Sequence, residues 1–130
     1  MSLPITTLYA LPLILIWAPL WMRITVVRAE LKQSIGDGGN PQLLLRIRQH
    51  GNFIEWVPFT LILMVLAEAQ GTPGLWLHIT GALIVIGRLV HPFGLKIDNG
   101  AHPLRYVGNT ANLLAMLSLL VALGRIVLGW

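Results

Sequence analysis

The chain has 130 residues, of which 55% are hydrophobic and only 11% charged, with a mean hydropathy of +0.74 and a net charge of +4. A soluble domain is about a quarter charged, so a water-soluble globule is excluded, and the length allows one domain, residues 1–130. The absence of cysteine excludes disulfides, thiolate metal sites and a protein thiol nucleophile. A sequence pI near 10.4 does not point to nucleic acid, because the basic residues flank apolar runs, where they set topology and meet lipid headgroups.

Leu3 to Met22 is a 20-residue stretch without a charge, about enough to cross a bilayer core. Its start carries no basic residue and no small-residue cleavage site follows, so the segment is expected to remain as a helix rather than act as a signal peptide. Pro12 and Pro19 predict bends. The helix continues as a polar segment to about Gln33, and Gly36-Asp37-Gly38-Gly39-Asn40-Pro41 breaks it. The second helix starts near Pro41, a good first-turn residue, and passes through a polar cluster into the apolar run Phe53–Ala67. Gly71-Thr72-Pro73-Gly74 makes a tight turn. The third helix runs from about Leu75 to Leu95, Lys96–His102 is a polar loop, and the fourth helix runs from near Pro103 to Gly129. Trp17, Trp21 and Trp130 read as anchors at the membrane interface.

Four spans joined by short loops predict an all-α, up-down transmembrane bundle. Such a bundle puts the first and third connections on one side of the membrane. Arg23, Arg28, Lys32, Arg46, Arg48, Arg88, Lys96 and Arg105 belong to that side, which is eight of the nine basic residues; Arg125 alone lies toward the other. The positive-inside rule makes the basic side cytoplasmic, with both termini across the membrane.

Three helix ends on that side carry polar groups. The second helix offers Arg48, His50, Asn52 and Glu55. The third offers Arg88 and His91, and the fourth Arg105, Asn109 and Asn112. Arg48, Asn52 and Glu55, at i, i+4 and i+7, share one helix face. Basic residues at helix ends commonly reach to headgroups, and that reading suffices for Arg23, Lys32 and Arg46. It does not suffice for Glu55, which lies inside an apolar run about 10 Å along the helix from Arg48. A carboxylate there is expected to face the bundle interior and to have a cationic partner, an arginine or a ligand amine. Several arginines suit ligand carboxylates, Glu55 suits an ammonium, and Asn52 both donates and accepts. Glutathione, with two carboxylates, an amine and a thiol, fits that description. An arginine beside the thiol favours thiolate, each pKa unit requiring about 1.4 kcal/mol.

Arg48-Gln49-His50-Gly51-Asn52-Phe53-Ile54-Glu55-Trp56-Val57-Pro58 resembles the signature of the membrane-associated proteins in eicosanoid and glutathione metabolism, the MAPEG family: Arg, Asn four later, Glu three after that, then a nearby Pro. Gly87-Arg88-Leu89-Val90-His91 is similar to the family's third helix, and Gly36-Asp37-Gly38-Gly39 to its short bacterial, YecN-like members. The resemblance spans nearly the whole chain. It implies a homotrimer in a bacterial inner membrane, in contact with lipid and binding glutathione between protomers near the cytoplasmic side. It implies that Arg48, Asn52 and Glu55 hold glutathione, that His91 and Arg88 line the same pocket, that Arg28 meets a carboxylate, and that Arg105 activates the thiol. His50, Tyr106 and Asn109 are further candidates.

Three positions depart from the pattern. Gly51 stands where several members have a basic residue, Leu95 where tyrosine is common, and Asn109 where an aromatic hydroxyl is found. The leading expectation is a glutathione transferase or peroxidase acting on lipophilic electrophiles or lipid hydroperoxides that enter from the bilayer, with no metal. The alternative is a non-catalytic trimer that binds glutathione or lipid. A small multidrug transporter fits poorly, because the first span has no carboxylate.

Overall fold

A computed structural model describes residues 2–129, and Trp130 therefore lies outside the described residues. Four helices follow one another: α1 (Pro4–Leu31), α2 (Pro41–Ala69), α3 (Gly74–Gly94) and α4 (Pro103–Leu128), with no strand among the described residues. Each is long and apolar enough to cross a membrane. The boundaries follow local chemistry. Pro41 and Pro103 occupy first-turn positions that have no N–H to lose. The Asn40 side chain accepts from the amides of Gln42 and Leu43, and His102 accepts from that of Leu104. α1 runs without interruption through Pro12 and Pro19, and it ends where Lys32 adopts a left-handed conformation, φ 51°.

Successive helices are antiparallel. The Glu68 carboxylate at the end of α2 accepts from the Ile5 and Thr6 amides at the start of α1, and Arg46 reaches the Arg23 carbonyl at the other end of the same pair. Gln49 of early α2 meets Pro92 of late α3, and Trp76 of early α3 meets Ser118 of late α4. α2 and α3 each pack against all three other helices, whereas α1 and α4 do not touch. The core therefore lies along the α2–α3 pair. Leu13, Leu20, Phe53, Val57, Ile84 and Ala115 form one buried cluster, and Met64, Ala67, Leu77 and Leu119 a second. Outward-facing Leu8, Leu11, Ile14 and Leu15 on α1, and Ile54, Phe59, Ile62 and Leu66 on α2, are exposed, as a lipid-embedded bundle requires.

α2 has 29 residues. About 20 cover a hydrocarbon core, and counting back from Ala69 reaches about residue 50. Arg48 then sits at the membrane boundary and Glu55 about 7 Å inside it. Trp17, stacked on Trp21, lies beside His50 at the same level, where amphipathic rings are favoured.

Candidate functional site

At the end of the bundle formed by early α2, late α3 and early α4 lies a cleft of about 370 Å³. Its walls are helical stripes. Pro41, Leu44, Leu45, Arg48 and Asn52 follow the i, i+3, i+4, i+7, i+11 spacing of one α2 face; His91 and Leu95 are an i, i+4 pair at the end of α3; Arg105 and Asn109 are an i, i+4 pair on α4. Lys96 and Ile97 of the connecting loop complete it. Of the residues singled out in the sequence, the cleft brings together Arg48, Asn52, His91, Arg105 and Asn109.

Close backbone approach builds the α3–α4 wall. A Cβ on Gly94 would stand 2.0 Å from the Arg105 nitrogen, and one on Gly108 would stand 2.7 Å from the His91 Cβ. Small residues at both positions let α4 start directly against the end of α3, which sets Arg105 beside His91. Gln49, buried in α2, donates to the Pro92 carbonyl at 2.8 Å and to that of Leu95 at 3.4 Å. Those are terminal α3 carbonyls with no helical partner of their own. Arg105 donates to the Gly100 carbonyl at 2.9 Å, so it is tied to the α3–α4 loop.

Arg88 does not line the cleft. It is 2% exposed and lies behind Asn52. Its guanidinium donates to the backbone oxygen of Asn52 and to its Oδ1, and to the Gly108 carbonyl at 3.4 Å, linking α2, α3 and α4. The planar fork of arginine reaches several acceptors at once, and here it fixes the rotamer of Asn52. Buried Asn112 lies close by, its Oδ1 2.6 Å from where a Cβ on Gly87 would be, and its amide has no hydrogen-bond partner among the described residues.

Glu55 differs from the expectation of an inward carboxylate. It projects outward from its own bundle and meets Arg48, with Nη1 to Oε1 at 3.7 Å; the side chains are 52% and 59% exposed, respectively. The inward face of α2 at this depth is taken by Phe53 and Val57, and two long side chains span the two turns that separate Arg48 from Glu55. Arg28 also stands away from the cleft. It donates to the carbonyls of Gln33, Ser34 and Gly36 and so folds the α1–α2 loop. His50 faces α1 and Trp17. Tyr106 is exposed and not part of the cleft lining.

Four structural residues escaped the sequence reading. Glu68, a second carboxylate in α2, caps the N-terminus of α1 from a distance of 63 positions. Trp76, Thr80 and Ser118 form a hydrogen-bonded group between α3 and α4. Neither arrangement has a local sequence signature. Pro41, Leu44 and Leu45, at helical spacing upstream of Arg48, also line the cleft, and the sequence reading did not single them out as site residues.

The cleft holds Arg48, Lys96, Arg105 and His91, and among the described residues no carboxylate lines it, Glu55 meeting Arg48 from the outer side. Its electrostatics favour an anion, and its apolar floor of Leu44, Leu45, Leu95 and Ile97 favours one with an apolar portion. The sequence matches the MAPEG family over residues 5–125. The chain belongs to the MAPEG family. The MAPEG match contains every residue of the cleft. Inner membrane protein YecN of Escherichia coli strain K12 is 32% identical over 90 residues, 69% of each chain, and the same holds for YecN of E. coli O6:H1 strain CFT073. No solved structure matches this MAPEG chain.

Proposed function

We propose that this protein is a glutathione-dependent enzyme of a bacterial inner membrane, assembled as a homotrimer. The observation that carries the reading is the basic cleft, in which Arg48, Asn52, His91 and Arg105 from three helices meet beside an apolar floor. Arg48 and Lys96 take the glutathione carboxylates, and Asn52, held by Arg88, orients the tripeptide. The outward-facing Arg48–Glu55 pair supports a site completed by a second copy, in which Glu55 takes the ammonium. Arg105 leaves the Gly100 carbonyl to hold the thiolate. In the transferase reaction the sulfur attacks an electrophilic carbon, an S–C bond forms, and the electron pair leaves with the displaced group. In the peroxidase reaction two glutathiones reduce one hydroperoxide, giving an alcohol, water and glutathione disulfide. The lipophilic partner enters from the bilayer. The name of the relatives and the four apolar spans of this chain support the inner-membrane assignment, and the eight basic residues at the cleft end support a cytoplasmic cleft.

The test is a conjugation assay on detergent-purified protein with glutathione and a chromogenic aryl halide. A glutathione-dependent rate is expected, and Arg105→Ala lowers it by roughly 10²–10³-fold, the usual effect of removing one stabilising donor. The reading fails if glutathione produces no rate, or if Arg105→Ala changes nothing. Because the chain has no cysteine, a single cysteine introduced at Asn99 and challenged with an impermeant maleimide reports sidedness. Native mass measurement reports the trimer.

A second reading, a non-catalytic trimer binding glutathione or lipid, is favoured by one feature. Leu95 and Asn109 both line the cleft, and among the described residues no tyrosine of the same chain lines it. Saturable glutathione binding without turnover would select this alternative.

A further inference from the structure

The end of the bundle opposite the cleft holds another polar cavity, of about 270 Å³, that the proposed reaction does not use. Thr72 and Pro73 of the α2–α3 turn, Trp76 of early α3 and Arg125 of late α4 form its walls, together with Gln70. Arg125 is the one basic residue toward this end of the chain's spans. Its guanidinium lies 6.0 Å from the centre of the Trp76 ring, within cation–π range. The ring is itself fixed, because its Nε1 donates to Ser118. The cation is therefore steered onto the cavity wall rather than left to extend from the helix end.

What surrounds Arg125 is short of acceptors. Among the described residues, no carboxylate lines the cavity. Thr72 Oγ1 is buried and has no hydrogen-bond partner among the described residues. Pro73 provides no side-chain cap for the start of α3. A guanidinium, an unspent hydroxyl and an uncapped helix start form one set of donors around a space that no acidic side chain of the described residues lines.

An apolar groove of about 340 Å³ continues from this cavity. It shares Pro73 and Trp76 with it and runs along α3 past Leu75 and Ile79. Leu75 and Ile79 are both exposed. Polar cavity and groove thus join at the membrane boundary in the order in which a lipid presents its headgroup and its chain.

We propose that this end of the protein binds an anionic phospholipid, its phosphate held by Arg125 and the Thr72 hydroxyl and one acyl chain lying against Leu75 and Ile79. Inorganic phosphate shares the headgroup chemistry but leaves the groove empty. A choline or ethanolamine headgroup adds a cation for which the cavity has no carboxylate.

Native mass spectrometry of the detergent-purified protein tests this with phosphatidylglycerol, phosphatidylcholine and inorganic phosphate in separate arms. Phosphatidylglycerol is expected to be retained in preference to phosphatidylcholine. Its apparent Kd rises at least fivefold in Arg125→Gln, recovers in part in Arg125→Lys, and stays within twofold in Lys32→Gln at the other end of the bundle. Thr72→Val produces a smaller loss and gives the same comparison should Arg125→Gln fail to fold. The proposal is overturned if wild type and both site variants retain phosphatidylglycerol equally, or if the two lipids bind alike. It is also overturned if inorganic phosphate competes phosphatidylglycerol away at equal concentration, which would assign the site to a free anion.

Discussion

Replacing Gly94 by alanine tests how the cleft is built. The added Cβ would stand 2.0 Å from the Arg105 nitrogen, 2.5 Å from the Leu104 carbonyl carbon and 2.7 Å from the Arg105 Cα. All three are backbone atoms, so no side chain can rotate away. Carbon contacts are comfortable at roughly 3.5 Å or more, so the start of α4 must retreat by about 1.5 Å, taking Arg105 with it. Overpacking of this kind costs about 1–3 kcal/mol, set against at most about 1 kcal/mol gained from better helix propensity. Net destabilisation of about 1–2 kcal/mol is expected in thermal unfolding of the detergent-solubilised protein. A 1 Å misplacement can also cost roughly 100-fold in rate, so glutathione-dependent turnover should fall more steeply than stability. Gly124 is the control: it is helical, and a Cβ there meets nothing within 4 Å. Gly124→Ala should be neutral, or stabilising by up to about 1 kcal/mol. If Gly94→Ala behaves like Gly124→Ala, the close approach does not organise the cleft and the reasoning fails.

Arg88→Ala removes the donors for Asn52 and Gly108 and leaves buried acceptors unpaired; a loss of about 3 kcal/mol or more is expected from the unfolding midpoint. Arg88→Lys should restore little of it, since an ammonium cannot reproduce the fork. Glu68→Ala uncaps α1 and should cost about 1–2 kcal/mol, with faster amide exchange at Ile5 and Thr6; Glu68→Gln keeps an acceptor and should cost less. Arg48→Ala should behave in the opposite manner to Arg88→Ala. Its ion pair with Glu55 is more than half exposed, so stability should change by less than about 1 kcal/mol, while glutathione affinity measured by calorimetry drops about tenfold or more. Equal effects of Arg48→Ala and Arg88→Ala on stability would contradict the division between cleft wall and buried clamp.

The sequence by itself determined the four helices, the turns between them and the face on which Arg48, Asn52 and Glu55 stand together. Those properties are local: bilayer thickness requires long apolar runs, proline and glycine mark their ends, and a 3.6-residue period assigns faces. Pro41 and Pro103 announced helix starts that the structure has at the same positions. Which way a face points is not local. Arg88 and Arg48 look alike as arginines near helix ends, yet one is buried behind Asn52 and the other projects outward with Glu55. Only packing decided this, because α3 turns Arg88 and His91 into the bundle and buries them, while α2 keeps one side for Phe53 and Val57 and turns the other outward. The tie between Glu68 and the start of α1, 63 positions away, and the contact of Gly94 with Arg105 likewise depend on antiparallel pairing. No periodicity within a single helix records what its neighbour will bring against it.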